Sequence, residues 1–258
     1  MDIRFDCTQC GKCCHDLRLP LSVDEAIVWA GRGHPVQLLC DAQPILSETP
    51  PEERVARYRY ERSFPARSGD LAVRVNVILV ATHAGPCPHL RPDMLCGNYE
   101  ERPRVCRIYP AEIVPEVALD PNNKGCPPEA WADEQPVYLR GGALVQDETR
   151  RLIEEHRAVT HDDVPVKATA CALLGISRAA LQNEGYAVHA PSPATLVAAL
   201  QAARLAQTDA DPAPAWSIAT NRQPTMQMLR DADAEAGLCN AGADYLGFFP
   251  DLPSQGDE

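Results

Sequence analysis

Lysine is nearly missing from this chain of 258 residues, occurring only as Lys12, Lys124 and Lys167, although arginine is plentiful. Acidic residues outnumber Lys and Arg by 36 to 24, which gives a formal net charge of −12. Phosphate binding relies on a surplus of cations on at least one face, so a global nucleic-acid footprint is disfavoured. Long apolar runs are lacking too, since none approaches the roughly 18 residues expected of a membrane span. The opening MDIRFDCTQC has no basic start followed by an apolar stretch. The expectation is a soluble, cytoplasmic protein with no membrane partner. No glycine-rich strand-to-helix fingerprint is present, because Gly31-Arg32-Gly33 follows a capped helix rather than a strand. The C-x-x-x-C-x-x-C spacing of radical enzymes and paired histidines at zinc-finger spacing are absent as well.

Cysteine, by contrast, is abundant. Four of the 11 fall in CTQCGKCCH, as Cys7, Cys10, Cys13 and Cys14, and four more follow as Cys87, Cys96, Cys106 and Cys126. A chain of this length buries a core without cross-links. In a reducing compartment clustered cysteines read as metal ligands or redox groups, and an odd total fits complete disulfide pairing poorly. Three thiols at Cys-x-x-Cys-x-x-Cys spacing let loop backbone curl around one centre, as in ferredoxin-type runs, with Gly11 permitting the tight turn. Adjacent Cys13 and Cys14 point to opposite sides of extended backbone and fit a single tetrahedral ion poorly. Eight thiols equal two complete Cys₄ sets, which suits two zinc ions or two clusters, and arithmetic does not choose. Cys40, Cys171 and Cys239 stand apart in apolar settings and read as buried small hydrophobes.

The expected fold class is α+β. An irregular, metal-organised N-terminal half carries a small β-hairpin or sheet, and a mainly α-helical C-terminal half follows. Ser22-Val23-Asp24-Glu25 is a capping-box pattern opening a short helix that Gly31 and Gly33 stop. ARYRYERSF and LAVRVNVILVAT read as strands joined at PARSGD. Residues 85–128 are rich in Pro, Gly and Cys with little periodicity. DETRRLIEEHRAV, VKATACALLGI, SRAALQNEG and SPATLVAALQAARLAQ read as helices, TDADPAPAW as a linker and MQMLRDADAEAGL as a last helix. Three regions follow: a cysteine-cluster metal-binding domain over 1–135, a helical region over 136–250 and a disordered tail over 251–258.

The combination of FDCTQCGKCC, LSVDEA, GPCPHL, CGNYEERPRVCRIYP and a later GC resembles the YkgJ-type cysteine-cluster family, described as zinc- or iron-chelating and often as containing iron–sulfur. The resemblance covers about residues 5 to 128. It implies a metal site built from Cys7, Cys10, Cys13, Cys14, Cys87, Cys96, Cys106 and Cys126. Asn98 stands where isoleucine is common, and Ile108-Tyr109-Pro110 replaces the more usual Phe-Pro ending. The family also includes proteins similar to the flagellin lysine N-methylase, which implies an enzymatic branch. Under that alternative the chain is an iron–sulfur-containing protein-lysine N-methyltransferase using S-adenosylmethionine on a protein substrate. No catalytic residue stands out for it.

Several further features have a plain reading beside a functional one. His15 and His89 adjoin motif cysteines, where histidine ligates a metal or simply hydrogen-bonds. Arg102, Arg104 and Arg107 surround Cys106 and either offset thiolate charge or pair with Glu100 and Glu101. The arginines and tyrosines of ERVARYRYER read as an exposed strand face. VKATACALLGISRAALQNEGY resembles a helix-turn-helix, but with only Lys167 and Arg178 basic it reads as two packed helices. The leading expectation is a cytosolic metal-binding protein holding an iron–sulfur cluster, 4Fe–4S, through cysteine thiolates. The alternative is a zinc-chelating Cys₄ protein, with a metal-exchange partner if it handles metal without catalysis.

Overall fold

The computed structural model describes residues 2–47, 49–206, 213–240 and 242–249. The first part of the chain forms β1 (Ile3–Arg4), β2 (Arg18–Leu21), α1 (Val23–Gly31), β3 (Val36–Pro44), α2 (Arg54–Glu61), β4 (Ser63–Ser68), β5 (Leu71–Thr82) and the short α3 (Arg104–Ile108). Next come β6 (Val137–Arg140), β7 (Ala143–Leu144), α4 (Asp147–Asp162) and α5 (Val164–Leu173). The chain then continues through β8 (Arg178–Leu181), β9 (Gly185–His189), α6 (Pro193–Leu205), β10 (Ser217–Thr220), α7 (Gln223–Asp231), β11 (Ala236–Leu238) and β12 (Tyr245–Gly247). The class is α+β.

Two long antiparallel strands, β3 and β5, form the spine of a nine-stranded sheet. β5 earns its place by alternation: Val73, Val75, Val77 and Leu79 are buried against the helices, while the residues between them face the other side. Both outer edges of this spine fork. Along β5, β2 pairs with Leu79–Thr82 and β4 with Leu71–Asn76. Along β3, β9 pairs with Leu38–Cys40 and β8 with Asp41 and Ala42, and β8 leads on to β10 and β11. α1, α5 and α6 cover one face and contribute Trp29, Ala170, Leu196 and Leu200 to the main core. Leu39, Val80 and Val188 form a smaller cluster on the other face. A separate three-stranded sheet joins β1, β6 and β7.

The capped helix α1, the strand β5 and the helices α4, α5 and α6 form where the sequence predicts them. Ser22 and Glu25 close a complete capping box, and Ser192 caps α6 through the Thr195 N–H. Two expectations are corrected. ARYRYERSF is helix α2 followed by β4, because the Glu53 carboxylate accepts the Val55 and Ala56 N–H groups and starts a helical turn. SRAALQNEG is strand β8 and a turn. Gly175, at φ 66, ends α5, and Ala179 and Ala180 fill a fully buried slot between β10 and β3, so sheet pairing overrides the helical propensity of alanine. The packed-helix reading of VKATACALLGISRAALQNEGY therefore fails in its second half. The part after residue 135 carries the helices α4 to α7 together with the short strands β6 to β12, and β8 and β9 pair with β3 of the first part. Most of TDADPAPAW and the tail from Pro250 lie outside the described residues.

Candidate metal centre

The thiols converge because three separate backbone devices bring their segments together. β1 pairs with β6, and just beyond it the Phe5 N–H donates to Pro136 O at 3.1 Å and the Asp6 N–H to Ala130 O at 3.0 Å. Phe5 packs on Trp131 and Tyr138, which ties the start of the Cys7–Cys14 run to the segment that follows Cys126. At the far end of the run, the β2–β5 ladder continues beyond its last strand residues. His15 bridges Pro86, the Asp16 N–H donates to Gly85 O at 2.9 Å, and the Cys87 N–H donates to Cys14 O at 2.6 Å. Cys14 and Cys87 are thereby held side by side.

A tight hairpin then returns Cys96 toward Cys87. Leu90 bridges Cys96, the Gly97 N–H donates to His89 O at 2.7 Å, and Asp93 accepts the Leu95 N–H. Its tip lies over Gly11. Gly11 adopts φ 68 ahead of the single turn Lys12–Cys14, so its conformation calls for glycine, and the end of the Met94 side chain lies against it. Cys106 sits on α3, whose first N–H, from Arg104, donates to Glu25 Oε1 at 2.7 Å. The Arg104 guanidinium also reaches Glu25 at 3.3 Å and Ser22 Oγ at 3.2 Å. The cap of α1 is therefore the footing of the Cys106 helix. Cys126 Sγ lies 3.7 Å from Tyr109 Oη, which also accepts the Gly125 N–H at 3.0 Å.

All eight thiols are free and none is fully buried. Cys13 and Cys14 hydrogen-bond to one another, which holds the Cys13 thiol well above its ordinary pKa and lowers that of Cys14. Burial pushes Cys106 up to about 12, with the Cys87 and Cys13 thiols adding to it. Burial likewise raises Cys87 and Cys126. These mutual influences trace two neighbourhoods. Cys14 feels Cys87, Cys96 and Cys106, whereas Cys126 feels Cys7, Cys10 and Cys13. Cys13 also acts on Cys87 and Cys106, so it borders both. Among the described residues, however, no group of three or more His, Cys, Asp or Glu side chains has a geometry able to hold a metal ion as it stands. The donor chemistry fits a thiolate-bound metal, which would deprotonate these groups and draw them together.

The flanking charges are sorted by the fold. Arg102 stacks on Tyr99, with its guanidinium carbon 3.8 Å from the ring centre, and is the arginine whose charge favours the thiolate forms of Cys13 and Cys106. Arg104 belongs to Glu25 and Arg107 pairs with Glu148 at 3.0 Å, while Glu101 pairs with Arg32 rather than with any of the three. His15 Nδ1 meets Gly11 O at 2.9 Å. His89 stacks edge-on against Trp29 and His34, and burial lowers its pKa. Cys40 and Cys171 are buried as expected, but they are not isolated, since their thiols hydrogen-bond to each other in the main core. Cys239 is only half-buried, beside Ala180, Ala219 and Tyr245. Tyr109 and Glu25 are the supporting residues that sequence reasoning missed. Tyr109 lies inside the quoted CRIYP stretch, and Glu25 gave a signal only as a helix cap.

The fold brings the clustered cysteine thiols within electrostatic reach of one another. Residues 6–127, just under half of the chain, match the CxxCxxCC family model, described as "Putative zinc- or iron-chelating domain". No curated protein and no solved structure matches the chain. Among the described residues no helix is long and apolar enough to cross a membrane.

Proposed function

We propose that the chain is a metal-binding protein that holds iron–sulfur through Cys7, Cys10, Cys13, Cys14, Cys87, Cys96, Cys106 and Cys126. The observation that carries this reading is the Cys13–Cys14 pair, whose adjacent thiols hydrogen-bond to each other, Cys14 near Cys87, Cys96 and Cys106, and Cys13 bordering both that set and Cys126. A single zinc ion in a closed tetrahedral shell fits two adjacent ligands within so large a thiol set poorly, whereas two neighbouring multi-iron centres use them. The grouping this supports is Cys14, Cys87, Cys96 and Cys106 as one set of four, and Cys7, Cys10, Cys13 and Cys126 as the other. The half-buried position and the Arg102 charge favour an anionic centre, because a nearby guanidinium offsets the negative charge of thiolate ligation.

Anaerobic purification followed by a visible spectrum and by iron, sulfide and zinc analysis tests this. The expected protein is coloured and contains iron with acid-labile sulfide. Colourless protein with zinc, no iron and no sulfide would replace the cluster by Cys₄ zinc. Cys10→Ser and Cys106→Ser should each lower the metal content, and Cys171→Ser should leave it unchanged. Equal loss on Cys171→Ser would refute the division between clustered and core thiols.

A further inference from the structure

The fork in the sheet leaves a hole. β2 covers β5 only from Leu79 onward and β4 only up to Asn76, so among the described residues Val77 and Ile78 have no strand partner on that edge. Beside this gap lies a cavity of about 420 Å³, within the range of small-molecule sites, and none of the eight clustered cysteines lines it. Lys167 reaches into the gap from α5 and donates to the unpaired Val77 carbonyl at 2.9 Å. It is one of three lysines in the whole chain, is 8% exposed, and makes no ion pair among the described residues.

The charges around the cavity are unbalanced in one direction. Arg62 lies over the Tyr58 ring and donates to Thr160 Oγ1, Tyr58 O and Arg157 O, none of them a carboxylate. His156, 4% exposed, also lines the cavity, and its buried Nδ1 has no hydrogen-bond partner among the described residues. Of the two acids on the walls, Glu112 is paired with Lys124 at 2.6 Å. The other, Asp41, projects from the opposite face of the sheet to Cys40 and accepts from Asn76 Nδ2 at 2.9 Å and Gln182 Nε2 at 3.1 Å. Asp163, whose carboxylate accepts the Val23 N–H, is the acid that acts on Lys167, and Glu61 is the acid that acts on Arg62, but neither cation makes a direct ion pair among the described residues. Burying an ammonium and a guanidinium without a directly paired carboxylate is costly, and an incoming anion relieves that cost. The remaining walls are apolar, with Leu21, Leu79, Ile113, Val114, Tyr186 and Phe248 among them.

We propose that this cavity binds a small organic monocarboxylate, whose carboxylate is received by Lys167 and Arg62 at the gap in the sheet and whose apolar body packs on the hydrophobic walls. Asp41 sets the charge limit, since a second carboxylate at its end of the cavity meets a buried carboxylate. The site is separate from the thiols and does not depend on which metal they hold.

Octanoate is a suitable probe, with octanol, octylamine and the dicarboxylate suberate as controls. In full-length protein carrying ¹³C,¹⁵N-lysine, the Cε–Nζ correlations report three residues. Octanoate should shift the Lys167 signal saturably and leave Lys12 and Lys124 in place. By calorimetry, octanol, octylamine and suberate should bind at least about tenfold more weakly than octanoate, as should octanoate to Lys167→Met and Arg62→Gln proteins that retain the native circular dichroism. The lysine spectrum needs no variant, so a folding defect in either substitution leaves the test intact. An unmoved Lys167 signal, an equal shift of all three lysines, or octylamine binding as tightly as octanoate would overturn the proposal.

Discussion

Burial holds the imidazole of His156 neutral, with its pKa pushed from 6.5 down to about 4. The neighbouring Arg104, Arg62 and Lys167 charges push the same way, and Glu25 opposes them. A base whose folded pKa is depressed contributes stability that is full above its unfolded pKa. That contribution is lost as the pH falls from about 6.5 toward 4, and the shift is worth about 3 kcal/mol at most. Asp41 and Asp163, whose pKa values burial raises, act in the opposite sense on acidification, so the comparison must isolate the imidazole. His156→Gln should be less stable than the wild type at pH 7, and the difference in urea midpoint should shrink as the pH approaches 4.5. A difference that stays constant over that range would mean the imidazole is not kept neutral. Lys167 shows the same physics at the alkaline end: burial lowers its pKa to about 8, so its penalty on folding is relieved between about pH 8 and 10.5.

At the scale of elements, the capping box of α1 carries more than its own helix. Glu25 receives the Ser22 N–H on one oxygen at 2.9 Å and the Arg104 N–H on the other at 2.7 Å, joining the start of α1 to the start of α3. Glu25→Ala should therefore cost about 2–3 kcal/mol, more than the roughly 1 kcal/mol of a lost cap, because Arg104 is left half-buried without its acid. Asp24→Ala, which removes only an exposed pair with Arg204, should cost well under 1 kcal/mol. Urea denaturation of the two variants checks this, and equal losses would mean the α1–α3 link carries nothing. Such links explain what was legible beforehand. The cap of α1, the alternation of β5 and the apolar stripe of α6 at Leu196, Ala199, Leu200 and Ala203 are local patterns and were read correctly. α2 and β8 were not. Their patterns are ambiguous locally and are decided by a glutamate cap and by two long-range strand partners. The eight thiols were visible from spacing and resemblance. The ladder that carries Cys14 to Cys87, and the β1–β6 pairing that carries the first run to Cys126, join residues far apart in sequence and leave no local trace.

Over the whole molecule, hydrophobic burial and thiol placement are divided between different parts of the chain. The main core is built on β3, β5, α1, α5 and α6, and none of the eight clustered cysteines is among its fully buried residues. The thiol segments hold only short turns, isolated bridges and the five-residue α3, structure too slight to persist on local propensity. Because β8 and β9 pair with the same strand as β5 does, the sheet is one cooperative unit that includes residues from both ends of the chain. Metal binding then contributes folding free energy to the loops rather than to the sheet. Stripping the metal with a chelator should raise amide hydrogen exchange across residues 7–15, 86–97, 104–108 and 120–131. Protection should persist in β3 and β5, and the far-ultraviolet circular dichroism should change little. Exchange that rises in β3 and β5 together with the loops would show that the sheet itself depends on the metal, because a strand buried on both edges opens only when the whole unit unfolds.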